Sequence, residues 1–168
     1  MTLEDAKAYL RLQTTHEDAL VERLVASARS LCEAFLGQLL VRRDVREDLP
    51  VCGAWQRLGA SPVAAIVSVE RLAGGEPQPL AVEAYAVDID PAGDGWIRVA
   101  AGTGRVRVTY RAGMADDESG VPAGIAQGIT RLVAHLYAHR DDSVGPPAAV
   151  AALWRPFRRL RLGLESRA

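Results

Sequence analysis

The residues best placed for chemistry are His135 and His139, four apart in an apolar-periodic stretch. On a helix this spacing sets two imidazoles on one face, where they can share a metal. Leu136 stands where a zincin needs its glutamate, and spacing marks no third ligand. Both histidines flank the apolar stripe, and His139 falls in the expected last turn, where the helix dipole favours a partly positive side chain. The structural reading is the stronger one, and neither a metal nor another cofactor is expected. His16, the third histidine, has no partner. Asp88 and Asp90 would project from one face of a strand as a pair of carboxylates, although the polar face of the arginine-rich hairpin offers a simpler cross-strand partner. Asp116, Asp117 and Glu118 lack the alternating ligands of an EF-hand. Gly102-Thr103-Gly104 lacks the Lys-Ser/Thr of a P-loop and opens no helix. No G-x-S-x-G occurs, and no serine or cysteine sits in a nucleophile motif. No catalytic residue is expected, and the chain reads as a non-enzyme.

Composition agrees with an ordinary globular protein. The 168 residues suffice for one domain with a real core, and 49% apolar with 24% charged residues exclude disorder. A net charge of −1 gives no global attraction to nucleic acid or acidic membranes. Lys7 is the only lysine among the basic residues and Asn is absent, so the arginine excess reads as a GC-rich bacterial or phage genome. Cys32 and Cys52 are the only cysteines, with no CxxC and no spacing that suggests a zinc site. The first ten residues carry Glu4, Asp5 and Lys7 and have no signal-peptide core, and no apolar run is long enough to span a bilayer. A reduced, cytoplasmic setting is expected.

The elements follow from periodicity. Thr2 with Asp5 reads as a helix cap, and the helix should bury Leu3, Ala6, Tyr9 and Leu10. Thr15 with Asp18 repeats the signal and opens a longer helix with the stripe Leu20, Leu24, Ala28, Leu31 and Phe35, ended by Gly37. Residues 39–112 then read as β-structure broken by glycine and proline. Residues 63–72 form one strand; Tyr85, Val87 and Ile89 alternate in another; residues 96–100 and 105–111 should flank the 102–104 turn as a hairpin. Val106, Val108 and Tyr110 share one face of the last strand, and Arg105, Arg107, Thr109 and Arg111 the other. Helical period returns after Pro122 with Ile125, Ile129, Leu132, Val133 and Leu136; a further helix starts at Pro147 and breaks at Pro156. The fold class is α+β: a helical core (residues 1–37 and 121–153) with an inserted antiparallel sheet (39–112), together one domain over 1–153, and a C-terminal arm over 154–168.

The arm is the least ordinary segment. Trp154, Phe157, Leu160 and Leu162 interleave with arginines, and residues 154–168 hold five arginines against Glu165 alone. The plain alternative is a docked terminal helix with a solvated arginine edge. Arginine with aromatics also favours a protein interface. A nucleic-acid or membrane contact ranks third, because one short cluster on a neutral protein leaves a weak electrostatic footprint.

Several stretches together resemble the head–tail connector (adaptor) proteins of long-tailed phages and of phage-derived gene transfer agents. Residues 2–11 are similar to that family's short first helix, and 17–37 to its long second helix. Val106-Arg107-Val108-Thr109-Tyr110-Arg111-Ala112-Gly113 resembles its last strand, 121–137 the helix that follows, and 153–159 the closing segment. Residues 44–59 match least. The resemblance implies a non-enzymatic subunit of a twelve-fold ring between the portal and the stopper or tail-terminator proteins. Such a subunit is assembled in the bacterial cytoplasm and then built into the head–tail junction. In such rings the helical body makes the subunit contacts and the C-terminal segment docks on the portal, which points to Trp154, Arg155, Phe157, Arg158, Arg159, Leu160 and Arg161. Arg105, Arg107 and Arg111 are candidates for subunit contacts or for facing DNA that passes through the channel without being read. On this reading, removal of the chain beyond Leu153 should leave the fold intact. The rival classes are a small nucleic-acid-binding protein using the arginine-rich hairpin or tail, and a metal enzyme built on His135 and His139.

Overall fold

The computed structural model describes residues 2–74, 76–100, 104–139 and 146–159. The chain divides into a helical unit, Met1–Gly37 with Asp117–Leu160, and a β unit that includes Gln38–Asp116.

In the helical unit, α1 (Leu3–Leu10) begins with a full capping box: the Asp5 N–H donates to Thr2 Oγ1 at 3.2 Å, and the Thr2 N–H to Asp5 Oδ2 at 2.8 Å. Helix α1 buries only Ala6; Tyr9, expected inside, is 50% exposed. Helix α2 (Asp18–Leu36) ends at Gly37 in the left-handed conformation (φ 66°), as expected of a glycine at that place. Its start differs from expectation: Glu17 precedes the first turn without a side-chain cap, and Thr15 contributes only its carbonyl to the Asp18 N–H. The buried stripe is also rotated by one residue, to Val21, Val25, Ala28, Cys32 and Leu36. Leu20, Leu24 and Phe35 are half-buried and Leu31 is 42% exposed. The helix carries both sets, so its apolar sector is too broad for periodicity to choose a centre. Helix α3 (Ala123–Ala138) buries Ile125, Gly128, Ile129, Leu132 and Val133, and leaves Leu136 half-buried.

The short α4 (Ala148–Trp154) packs on α3 and drives Trp154 fully into the helical core. Its indole lies directly over Gly128, where a Cβ would come within 2.1 Å of Nε1. That N–H donates to the Ile125 carbonyl at 3.2 Å, and the ring meets Phe35 of α2 at 5.7 Å. A buried indole needs such an acceptor, and a glycine lets the carbonyl be reached.

The β unit is built on two antiparallel sheets sharing one core. The larger has the order β1 (Arg43–Pro50), β7 (Arg105–Ala112), β3 (Val63–Leu72), β4 (Gln78–Pro79). The smaller has β2 (Gln56–Arg57), β6 (Gly95–Val99), β5 (Tyr85–Ile89). The expected hairpin between residues 96–100 and 105–111 is not formed. Strand β6 pairs with β5 and β2, while β7 pairs with β1 and β3, so both edges of each are occupied. Short connections favour hairpins, but alternation cannot name the partner, and here sequence neighbours belong to different sheets. Residues 101–103 of the expected turn lie outside the described ones.

Central β7 buries Val106, Val108, Tyr110 and Ala112 on the expected face. It ends at Gly113 (φ 147°), where a Cβ would lie 2.4 Å from the Arg42 backbone nitrogen, so only glycine lets residues 39–42 cross so closely. Backbone bonds from Met114 and Ala115 to the Leu39 and Leu40 carbonyls complete that crossing.

Two substitutions test these packing arguments by urea unfolding. Gly128→Ala is predicted to lower stability by about 1–3 kcal/mol through overpacking against the indole. Trp154→Ala should cost about 3–5 kcal/mol, far beyond what an exposed arm residue costs.

Candidate functional site

The closing segment is anchored at its base and cationic on its outside. After Trp154 the chain makes one 3-10 turn, Arg155–Phe157, and Arg158 turns extended (φ −70°, ψ 128°). The Arg159 N–H then donates to the Leu36 carbonyl, 3.0 Å away, which satisfies the end of α2. Phe157 is half-buried over Gly124, where a Cβ would come within 3.1 Å of its ring. Arg155 and Arg158 are exposed, and the Arg158 guanidinium lies over the Phe35 ring at 5.3 Å from its centroid. Arg159 is half-buried. Leu160 and Arg161, read as contacts from sequence, lie outside the described residues.

Trp154 therefore differs from the sequence expectation. It is a core residue of the helical unit and not a surface offered to a partner. Truncation after Leu153 would remove it from the core, so that truncation is expected to destabilise the helical unit instead of sparing it. The physical reason lies in Gly124 and Gly128, whose missing side chains make the slots that Phe157 and Trp154 fill.

The arginine strand is tied up within its own sheet. Arg107 donates to both carboxylate oxygens of Asp48, at 2.8 and 3.0 Å, and Arg111 donates to Asp44 at 3.1 Å. Arg105 donates to the Asp48 carbonyl at 2.9 Å. Glu70 on β3 is in register with Arg107 from the other side. The expected cross-strand pairing thus exists, but its acids are Asp44 and Asp48 and not Asp88 and Asp90. Asp90 instead accepts from the Asp94 N–H (2.9 Å) and from Trp96 Nε1 (3.1 Å), closing the β5–β6 turn. Asp88 sits opposite Trp96 in the smaller sheet. A face whose arginines alternate with matched acids makes a poor phosphate track.

The remaining candidates also have structural roles. The His135 and His139 rings stand 4.5 Å apart, one His139 ring nitrogen faces the His135 carbonyl at 3.0 Å, and no cluster of three metal-ligating side chains occurs among the described residues. Asp116 pairs with Arg42, and Glu118 with Arg29. Asp117 caps the 3-10 turn Glu118–Gly120 through the Ser119 and Gly120 N–H groups. Burial pushes the Cys32 thiol up to about 12, far from the range of a nucleophile.

Sequence reasoning missed one polar network. The fully buried Tyr110 hydroxyl donates to Glu47 Oε2 at 2.9 Å and accepts from the Ala60 N–H at 2.9 Å, while the Gly59 N–H donates to the same Glu47 oxygen at 2.9 Å. Glu47 is in phase with Val45 and Leu49 on β1, and that alternation was the available signal that it faces inward.

Paired or capped carboxylates give the molecule an acid limb. The bonds from Arg107 hold Asp48 below the ordinary 3.8, and bonds from Thr2 and Ser119 do the same for Asp5 and Asp117. Folded values below unfolded ones mean a contribution fully present above 3.8 and lost as pH falls through the lower folded values. Urea titrations at stepped pH should show stability falling below that point, and Asp48→Asn, with no proton to take up, should flatten the fall.

Residues 1–65 match the model of the phage gp6-like head-tail connector proteins. The whole chain is similar to a chain in the neck of an empty gene transfer agent particle computed with sixfold symmetry: TM-score 0.79 and 25% identity, covering 96% of this chain and 91% of that one. A chain of the native gene transfer agent virion matches with TM-score 0.74 and 26% identity over 96% of this chain and 91% of that one. A chain from the neck of the native particle computed with twelvefold symmetry matches with TM-score 0.72 and 26% identity, covering 88% and 86%. No curated protein sequence matches. With a match to the connector family model over its amino-terminal helices and strand β1, and a neck-protein fold over nearly its whole length, the chain is similar to the head–tail connector proteins.

Proposed function

We propose that this structural connector subunit acts as an adaptor, forming a twelve-fold ring between the portal and the stopper or tail-terminator proteins of a tailed phage or gene transfer agent particle. It has no catalytic role, is assembled in the bacterial cytoplasm, and surrounds a channel through which DNA passes unread. The observation that carries the reading is that the neck-protein likeness runs through both the helical and the β unit, over 96% of the chain. The matched charges of β7 fit a wall that DNA slides past, since unpaired arginines would hold phosphates.

The closing segment is the portal contact. With Trp154 buried and the Arg159 N–H bonded to the end of α2, Arg155 and Arg158 leave the helical unit from a fixed base. Ordering that base in advance lowers the entropy lost on docking. Arg155, Phe157, Arg158 and Arg159, with Leu160 and Arg161 beyond, carry the contact, and Trp154 supports it from inside. Trp154 is part of the core of the helical unit, so the arm begins effectively at Arg155.

The test is native mass measurement of the protein alone and mixed with the portal from the same gene cluster. A ring or a stable portal complex is expected, and Arg155→Ala with Arg158→Ala should weaken it about tenfold or more without changing the melting temperature. A chain that stays monomeric and ignores the portal would overturn the reading, and steeply salt-dependent DNA binding by that monomer would put the nucleic-acid alternative in its place.

A further inference from the structure

Among the described residues, four strands end a sheet with one edge unpaired: β1 and β4 in the larger, β2 and β5 in the smaller. Strands β2 and β4 have two residues each, too few to template an added strand. Strand β1 is guarded in the way natural edges are: Asp44, Arg46 and Asp48 on its outer face, and the inward carboxylate of Glu47. Strand β5 carries a single charge, Asp88, set between two exposed apolar residues. Val87 and Ile89 are in register with Ile97 and Gly95, on the face of β6 that joins the core, yet they remain 43% and 39% exposed. They are the open rim of the β-unit core. Val82, in the turn leading into β5, is 72% exposed. At the same end of the strand lies a depression of about 290 Å³ lined by Glu83, Ala84, Tyr85, Ala86, Arg98 and Ala100.

We infer that the β5 edge, with Val82, Val87 and Ile89, is where a second copy of this chain binds. The inference rests on the ring reading and adds which surface of the β unit carries the ring contact, in place of the helical body alone. A closed ring needs each copy to meet its two neighbours through different patches, because β5 against β5 would form a pair that stops at two. The matched chains come from particle necks computed with sixfold and twelvefold symmetry, and a closed ring of that kind repeats unlike patches. A free strand edge offers unpaired backbone donors and acceptors, and the exposed valines and isoleucine lose their water when a neighbour covers them. The depression beside Tyr85 receives a side chain of that neighbour, with Glu83 and Arg98 setting its polarity. A portal or tail protein is the lesser fit, since the exposed arginines of the closing segment serve a partner of that kind on the other unit.

The experiment compares the full-length wild type with Val87→Lys/Ile89→Lys, each alone and with portal, by native mass spectrometry, with circular dichroism and melting as fold controls. Val67→Lys adds a charge at an apolar position of β3, 59% exposed and outside the patch, and serves as control. Val82→Lys probes the patch from a surface turn without touching β5, should the double variant fold poorly. The wild type and Val67→Lys are expected to assemble, with the two patch variants assembling about tenfold more weakly, a difference of ~1.4 kcal/mol. Patch variants that form rings like the wild type would overturn this surface and leave the ring reading standing. A wild type that stops at dimers would overturn the head-to-tail arrangement. A wild type that stays monomeric with portal would remove the ring reading, and this inference with it.

Discussion

The constraint on which the β unit depends is the burial of the Tyr110 hydroxyl. A phenol carried to full burial needs partners, since an unsatisfied buried hydroxyl costs about 1–3 kcal/mol. Its partners come from β1 (Glu47) and from the connection between β2 and β3 (Ala60), and Glu47 in turn takes the Gly59 N–H. One side chain on the central strand therefore fixes the placement of β1 and of the crossing from the smaller sheet to the larger. The apolar contacts of Val106 and Val108 would tolerate sliding far better than these directed bonds.

The helical unit has a comparable pin of opposite chemistry. Trp154 fills a slot made by Gly128, and its single N–H is spent on the Ile125 carbonyl. The consequence reaches function. A segment that sequence suggests is a loose arm is rooted in the core up to Trp154 and bonded to α2 at Arg159, so the exposed Arg155 and Arg158 emerge at a set place.

Charge plays a different part on β7. The pairs of Arg107 with Asp48 and Arg111 with Asp44 lie at the surface, where water and salt screen ion pairs and leave them little net stabilisation. They hold register between strands and leave the face nearly neutral. Stability comes from the buried side of the same strand.

Much was legible from the sequence alone. The α+β class, the order of helices, strands and helices, the Thr2–Asp5 cap, the Gly37 stop, the two faces of β7 and the break at Pro156 all follow from local chemistry acting within a few residues. What the tertiary structure decided is which of several equally apolar choices faces inward and which strand meets which. Periodicity could not separate Leu20, Leu24 and Leu31 from Val21, Val25 and Cys32, because both rows lie within one broad apolar sector. It could not tell that the strands on either side of residues 101–103 part into different sheets, because a strand's pattern states its faces and not its neighbours. Nor could it distinguish Trp154 on an arm from Trp154 in a core, because the decision rests with Gly128, a full helix earlier in the chain, whose significance is only the space it leaves empty.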